Sequence, residues 1–540
     1  MSATLVLTNG RFYTMDPRQP RATAVALHNH TILAVGSDDA MKALLGTGGR
    51  VLDLNGRTVT PGLMDAHVHF QWYSLNLQSI NLHEVPTLAE ALQRIVTYLQ
   101  QRDVKHAAQH SEQWLRGRGW TQELWENQRF PTAADLDQIA PHIPIYLGHK
   151  SGHAAWVNSR ALKIAGITAA TPDPPGGQIQ RDAQGQPTGI LFEEAVNLVT
   201  AHIPQPTTAD IAAAMLQAQQ KCWQAGLTGL HDFDGRSSFA ALQTLQQQGE
   251  LGLRVIKNIP VYRLEHAIGV GLRTGFGDEW LRIGGVKIFA DGALGPRTAA
   301  MLAPYENEPD NYGIVVTDKE EMKEKASQAN ANGLSVTVHA IGDRANHDVL
   351  DVYAAVREEE REEQRRELRH RIEHVQVLHP DDLDRLAKLR VIASMQPTHA
   401  TSDMTMADRY WGDRARYSYA WRTMLDSGAT LAFGSDAPIE TIEPLPGLYA
   451  AVSRCRPDGY PGPDGWYPEQ KLTMHEAVHA FTMGTAVAGN QETYLGSITP
   501  GKRADFTIFA RDIFHMPADE LLQTEIAATI VNGEFKHRTW

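Results

Sequence analysis

Five short apolar segments of this chain each end in side chains that can bind a metal ion, and each is followed by glycine or other turn-forming residues. In chain order these side chains are His67 and His69, Lys287, His339, His374 and Asp436. In parallel α/β sheets and barrels, functional groups gather at the carboxyl ends of the strands. The pattern therefore predicts parallel strands whose last residues meet at one site.

His67 and His69 carry the most information, because two side chains separated by one residue on a strand point the same way and can hold one metal ion. Each residue also has an ordinary alternative. These are a polar strand end for the histidine pair, an edge-strand lysine at 287, core histidines at 339 and 374, and a helix N-cap at Asp436. The joint occurrence of all of them at strand ends favours the metal site.

Strand-like segments alternate with helix-like ones through most of the chain. Candidate barrel strands lie at about 61–69, 227–234, 253–261, 282–290, 334–339, 371–377, 391–397 and 429–436. Segments such as 318–331 and 380–388 have helical apolar spacing, and this βαβα rhythm predicts an α/β fold, a distorted TIM (β/α)₈ barrel. The span from 61 to 480 exceeds the roughly 250 residues of a typical barrel. We therefore expect a large insertion after the first strand, at about 71–220.

Four motifs add a family resemblance that runs nearly end to end. They lie at Lys287–Ala299 (KIFADGALGPRTA), His339–Asp343 (HAIGD), Arg371–Gln376 (RIEHVQ) and Gly434–Pro438 (GSDAP). Together with the order of the six candidate ligands, they resemble the amidohydrolase superfamily. Within it, they resemble amidohydrolase family 3 and its branch of N-substituted formamide deformylases. The resemblance implies a metal-dependent hydrolase of a C–N bond in an amide, an N-formyl or an N-acyl compound.

Both termini carry strand-like alternation, at about 4–60 and again at 496–509 and 528–535. The resemblance implies that they pair into a small β-sandwich. We expect a sandwich domain from residues 1–60 and 480–540, and a barrel domain from residues 61–479.

Hydrolysis of an unactivated amide requires a strong nucleophile, stabilisation of an oxyanion and a proton for the departing nitrogen. A bound divalent metal, for which zinc is expected, lowers the pKa of water from ~15.7 to about 7 and polarises the carbonyl. Asp436 is then the expected proton shuttle between metal-activated hydroxide and the leaving amine. A metal-dependent hydrolase of another bond, such as an ester, stays an alternative, as does a binding protein with a degenerate site. The occupation of all six ligand positions counts against the latter.

Lys287 is an unusual ligand, because an ammonium group repels metal ions. Burial among Val286, Ile288 and Phe289 would lower its pKa, and a neutral amine can react with carbon dioxide to form a carbamate. The resemblance implies such a carboxylated lysine bridging two metals. One metal would be held by His67, His69 and Asp436, and the other by His339 and His374. With an unmodified lysine, a single ion is expected.

Candidate substrate-binding residues surround these positions. An insertion on a βα loop emerges on the catalytic face, so its Trp120 and His153 are candidates for the pocket wall. The alternative is that they pack the core of the insertion. Asp291 and Arg297 are candidates as a charged pair that orients substrate or a loop, against a purely structural ion pair. Lastly, Asp65 and Glu373 are candidates for orienting ligand imidazoles, although alternate strand residues face opposite sides.

Composition limits the partners. The 540 residues carry a net charge of −13 and a pI near 6.0, which argues against nucleic acid and anionic membranes, because both are polyanions. The amino terminus lacks a secretory leader, and two cysteines are too few for a disulfide framework, so a cytoplasmic location is expected. A small-molecule amide is the expected partner, and a homo-oligomer stays an open alternative. The charged run at 357–369 is interpreted as a solvated helix face.

Overall fold

The computed structural model describes residues 1–106, 114–126, 128–151 and 153–540. These residues form two compact units. One unit comprises Met1–Tyr73 together with Met215–Trp540, and the other comprises Ser74–Ala214.

An eight-stranded parallel sheet forms the centre of the first unit, and its strand order follows the order of the chain. The strands are Leu63–Val68, Leu227–Asp232, Arg254–Pro260, Leu281–Phe289, Val336–Ala340, Arg371–His374, Ile392–Met395 and Leu431–Phe433. Nearly all of their residues are buried, as expected for strands covered on both faces. The prediction of a TIM-like barrel is confirmed, and each predicted strand overlaps an observed one.

Backbone hydrogen bonds join the first strand to the segment after the eighth and so close the barrel. The Asp436 N–H donates to the His67 carbonyl (2.7 Å), and the His69 N–H donates to the Ala437 carbonyl (2.9 Å). Three candidate ligands are thus held by the seam itself. Asp436 follows its strand by three residues, rather than ending it as the sequence analysis expected.

Helices follow most strands. The α-helices that lie wholly or partly in the first unit are Asp38–Lys42, Phe70–Asn76, Thr208–Gln224, Arg236–Gln247, Leu264–Gly269, Lys319–Ala331, Asp343–Glu362, Arg385–Lys388, Pro397–Trp411, Trp421–Asp426, Pro444–Ser453, Met474–His479 and Thr485–Ala488. Within the segment predicted as helical at 318–331, Asp318 caps the helix Lys319–Ala331 by accepting from the Glu321 N–H. The segment predicted as helical at 380–388 is instead a 3₁₀ turn, Pro380–Asp382, followed by one short α-helix.

Two sheets from the two termini pack face to face. The first has the order Thr31–Gly36, Ala24–His28, Ala3–Thr8, Leu45–Asp53. The second has the order Glu534–Arg538, Ile526–Val531, Phe506–Phe509, Thr58–Pro61, Arg11–Tyr13, Arg21–Ala22. Leu7 and Val25 of the first sheet share a buried apolar core with Phe12, Phe506 and Ile530 of the second.

The second unit contains a six-stranded mixed sheet. Its order is Gly177–Arg181, Pro187–Glu193, Ala154–Val157, Ile145–His149, Leu115–Trp120, Ile80–Asn81. Its helices are Leu88–His106, Ala133–Asp137, Ser159–Ile164 and Asn197–Thr200. Residues 107–113 of the expected insertion lie outside the described residues.

The interpretation of the charged run at 357–369 as a solvated helix face is wrong. Its helix ends at Glu362, and both Arg357 and Glu360 are buried. Arg357 donates to Glu360 (2.6 Å) and to the Leu368 carbonyl (2.8 Å), so this ion pair holds the segment that returns towards the sixth strand. Across the part of the chain that the structure describes, we find no helix that combines the length and the apolar character needed to cross a membrane.

Candidate metal centre

The first strand and the segment after the eighth strand bring three candidate ligands together. Asp436 Oδ1 lies 3.7 Å from His67 Nε2 and 3.6 Å from His69 Nε2. This carboxylate oxygen is buried and has no hydrogen-bond partner among the residues that the structure describes. An unpartnered buried carboxylate oxygen facing two imidazole nitrogens is costly by itself, and a divalent cation would satisfy it. The donor set therefore fits a metal ion.

Three candidate histidines share one arrangement, in which a neighbouring side-chain oxygen holds Nδ1 and leaves Nε2 available. The contacts are His67 with Glu373 at 2.7 Å, His69 with Asp234 at 3.1 Å and His374 with Gln396 at 2.8 Å. Metal-binding histidines in proteins are commonly fixed in this way. The arrangement orients the rings before any ligand binds.

Electrostatics keep most of these rings neutral, the state that binds metal. Burial, followed by the charge of Lys287, lowers the pKa of His67 to about 4 and that of His339 to about 3. Burial and the neighbouring His339 hold the pKa of His374 well below its usual value. His69 differs, because the hydrogen bond and charge of Asp234 outweigh burial and raise its pKa.

Glu373 orients His67 rather than the adjacent His374. It is fully buried and also accepts from Thr337 Oγ1 (2.5 Å) and from Arg371 Nε (2.5 Å). Burial opposes its ionisation, but the charge of Arg371 and the contact with His67 hold its pKa well below the usual value. Glu373 is thus an ionised anchor within the barrel.

Asp65 acts through the backbone instead of through an imidazole. Its carboxylate accepts from the His67 N–H (2.9 Å), the Ser435 N–H (3.0 Å) and Ser435 Oγ (2.5 Å). These contacts join the first strand to the residue before Asp436. Asp65 therefore sets the separation between the two sides of the candidate site.

Asp436 has a left-handed backbone (φ 60°), as does His374 (φ 75°). Such conformations are unfavourable for non-glycine residues and concentrate at functional sites. The second oxygen of Asp436, Oδ2, faces His399 Nε2 at 3.3 Å. Burial opposes ionisation of Asp436, but the electrostatic interaction with His67 and the hydrogen bond of His399 lower its pKa.

His399 is a buried member of the site that the sequence analysis missed. Its Nδ1 lies 3.6 Å from Glu440 Oε1, so the ring stands between two carboxylates. Burial opposes its charge, but hydrogen bonds to Asp436 and Glu440 raise its pKa to about 10. Potential ligand atoms of His374, His399 and Asp436 lie within 4.8 Å of one another, so they form a second candidate cation group.

Lys287 and His339 complete the cluster. Lys287 is buried, and its Nζ lies 4.8 Å from the ring centroids of both Phe233 and Phe289. Burial lowers its pKa to about 8. The His339 ring lies 4.7 Å from that of His374, while its Nε2 lies 2.8 Å from the Gly292 carbonyl. Nδ1 is therefore the nitrogen of His339 left for a cation.

A model of the amidohydrolase family matches residues 50–537 of this chain. The chain belongs to the amidohydrolase family. Protein LONG AFTER FAR-RED 3 of Arabidopsis thaliana is 33% identical over 98% of this chain and 91% of its own length. N-substituted formamide deformylase of Arthrobacter pascens is 28% identical over 99% and 98% of the two chains. The resemblance to family 3 and its deformylase branch is thereby confirmed.

Solved structures agree with this assignment. The crystal structure of an uncharacterized metal-dependent hydrolase from Pyrococcus furiosus is 28% identical, with a TM-score of 0.76, covering 94% of this chain and 99% of that one. Family and fold together identify this amidohydrolase as a metal-dependent hydrolase.

Two predicted substrate contacts of this amidohydrolase, Asp291 and Arg297, do not pair with each other. The buried Asp291 carboxylate accepts from the backbone N–H groups of Ile341 (3.0 Å), Gly342 (2.8 Å) and Ala300 (2.9 Å). Arg297 pairs instead with Glu308. Their interpretation as one charged pair is therefore wrong, because the loop between them turns Arg297 away. Their contact with substrate stays a prediction.

The other two predicted substrate contacts lie in the second unit. Trp120 is fully buried in that unit's core, where its indole donates to the Leu147 carbonyl (2.8 Å) and its ring packs against Trp156. These contacts are the ones expected if Trp120 packs the core of the insertion. His153 is largely exposed and pairs with Glu193 at 3.0 Å. A role of either residue in the pocket wall stays a prediction.

Sequence reasoning missed three members of the site that follow barrel strands closely. Asp234 lies two residues beyond the second strand, and Gln396 and His399 lie one and four residues beyond the seventh. The signal that found the other ligands, a polar side chain at a strand's carboxyl end, also applies to these positions. Asp234 and His399 are separated from the apolar run by other residues, and Gln396 is not a usual metal ligand, so none of the three stands out in the sequence.

Proposed function

We propose that this amidohydrolase is a zinc-dependent enzyme that hydrolyses a C–N bond in an N-formyl, N-acyl or cyclic amide. The convergence of His67, His69 and the unpartnered Oδ1 of Asp436 is the observation that carries the proposal. The name of the Arthrobacter relative supports an amide substrate.

His67, His69 and Asp436 would hold the first ion, and the partly buried His339 and the buried His374 with a carboxylated Lys287 would hold a second. His399 lies close to the second position, but its hydrogen bonds to Asp436 and Glu440 favour the protonated ring, so it is not proposed as a ligand. A bound divalent ion lowers the pKa of water and polarises a carbonyl group. The lowered pKa of Lys287 raises its neutral fraction, which is the form that carboxylation requires.

Asp436 is the proposed proton shuttle. Its Oδ2 is held by His399, and its Oδ1, which has no donor among the described residues, faces the proposed ion, so this carboxylate is placed to take up a proton and return it to the leaving nitrogen. His399 and Glu440 hold the carboxylate in one orientation during this transfer. The left-handed backbone of Asp436 is fixed by its hydrogen bond to the His67 carbonyl.

The test combines metal analysis with a product screen. The purified protein should contain close to one or two zinc ions per chain, lose turnover on chelation and regain it with added zinc. A panel of matched amides and esters should release amine rather than alcohol. Preferential release of alcohol would replace the amide assignment with the ester alternative.

A ligand variant sharpens the test. His67→Asn should lose zinc and turnover together, because the side chain contacts both Glu373 and Asp436. His266→Asn, at an exposed position of the Leu264–Gly269 helix, is the matched control and should retain both. Full zinc content in His67→Asn would contradict the proposed ligand set.

A further inference from the structure

Large apolar side chains stand exposed directly beside three of the candidate ligands. Trp72 follows His69 by three residues and is 41% exposed, whereas Phe289 follows Lys287 by two residues and is 46% exposed. Ile439 follows Asp436 by three residues and is 55% exposed. Single exposed apolar residues are common, but a group of them around one site marks a binding surface.

Contacts tie these side chains to the site. The Trp72 ring lies 5.9 Å from the His69 ring, and the Phe289 ring lies 5.2 Å from the His339 ring. The Ile439 N–H donates to the Asp436 carbonyl (2.9 Å), so a tight turn fixes this residue to the proposed shuttle. The three side chains come from the segments that follow the first, fourth and eighth strands.

The loop after the fourth strand extends the apolar surface. Ile314, Val315 and Val316 are consecutive and more than a third exposed. Hydrogen bonds order their backbone, because the Val316 N–H donates to the Ala290 carbonyl (2.8 Å), next to Phe289. An ordered loop that presents aliphatic side chains beside the site is suited to contact an apolar ligand.

We infer that the substrate carries a neutral apolar substituent, aryl or alkyl, adjacent to the hydrolysed bond, and that Phe289 and Trp72 contact it. This inference rests on the proposed amide hydrolysis. An acidic substituent would require an unpaired cation nearby, whereas Arg297, the cation of this loop, pairs with Glu308. Aromatic faces and aliphatic side chains instead favour the removal of apolar surface from water.

The experiment compares amides that differ in one substituent. N-formyl and N-acetyl derivatives of phenethylamine, of hexylamine and of glycine are assayed beside the unsubstituted amides. The phenethyl and hexyl compounds should have kcat/KM values at least about tenfold above those of the glycine compounds. Equal values, or a preference for the glycine derivatives, would overturn the inference.

Phe289→Ala should lower the ratio of kcat/KM for the phenethyl substrate to kcat/KM for the unsubstituted amide about tenfold, through a higher KM for the phenethyl substrate. Phe276→Ala is the matched control, because Phe276 is 69% exposed and precedes the amino end of the same strand. It should behave as the wild type. An equal loss on all substrates in Phe289→Ala would show a structural role and contradict the inference.

Three further outcomes test this inference, and the first two distinguish its failure from failure of the proposed amide hydrolysis. If the wild type contains zinc and hydrolyses amides without regard to the substituent, the inference fails and the proposed function stands. If it hydrolyses no amide, both fail. If size-exclusion chromatography shows that Phe289→Ala changes the oligomeric state without changing substrate preference, the exposed surface is a self-association face and the inference is wrong.

Discussion

Replacement of Glu373 by glutamine should weaken both the fold and metal binding, because one carboxylate serves both. Glu373 accepts one hydrogen bond from His67, one from Thr337 and two from Arg371. Glutamine has the same shape but only one acceptor oxygen, so at least one buried donor loses its partner. The buried Arg371 also loses its only carboxylate, because its other acceptors within the described structure are uncharged.

The size of the effect follows from these contacts. Removal of one partner from a buried ion pair costs about 3–5 kcal/mol, since the remaining charge stays desolvated. Loss of the carboxylate that fixes a ligand imidazole lowers metal affinity roughly 10- to 100-fold. We therefore expect a lower denaturation midpoint and weaker zinc binding in the same variant.

Chemical denaturation and zinc competition against a chromophoric chelator measure the two effects. Glu492→Gln is the control, because Glu492 makes a similar bidentate pair with Arg369 at a partly exposed position and should cost no more than about 1 kcal/mol. The double variant Arg371→Met/Glu373→Gln should recover stability but not zinc affinity. A Glu373→Gln protein with wild-type stability and zinc affinity would refute the reasoning.

Three other outcomes are expected. Asp436→Asn should retain zinc and lose roughly 10²–10⁴-fold in kcat, because the amide cannot take up a proton; unchanged turnover would exclude Asp436 as the shuttle. Burial opposes ionisation of Glu360, but contacts with His370, Leu368 and Arg357 lower its pKa from 4.5 to about 2. Its charge therefore stabilises the fold above about pH 4.5, by at most about 3 kcal/mol, and this contribution is lost as the pH falls through about 2. In Glu360→Gln, the free energy of unfolding measured by denaturation should change less with pH between these two values than it does in the wild type. Asp291→Asn should destabilise the barrel by about 1–3 kcal/mol, since one amide oxygen cannot replace a carboxylate that accepts three backbone N–H bonds; an unchanged unfolding midpoint would contradict this.

The barrel and most of the candidate site could be predicted because both depend on local patterns. A buried parallel strand needs a continuous apolar run, and a functional side chain at its end breaks that run visibly. His67, His339 and His374 stand out for this reason. Asp436 stands out through its motif, and the structure places it in the seam rather than in the strand.

The remaining contacts depend on tertiary structure that no local pattern specifies. Glu373 is adjacent to His374 in sequence, but it holds His67, because neighbouring strand residues point to opposite sides. Arg297 follows Asp291 closely, yet its own backbone is left-handed (φ 58°) and its side chain pairs with Glu308. Burial of Trp120 likewise depends on partners distant in sequence, such as Trp156.

The seam of the barrel has a consequence for the assembly of this enzyme. Asp65 and Ser435 are separated by 370 positions and come into contact only when the first strand meets the eighth. Two of the three proposed zinc donors, His67 and His69, lie on one side of that junction and the third, Asp436, lies on the other, so an incompletely folded chain cannot present the full donor set. At the proposed zinc site, metal stoichiometry would therefore measure the fraction of molecules in a preparation that have completed folding.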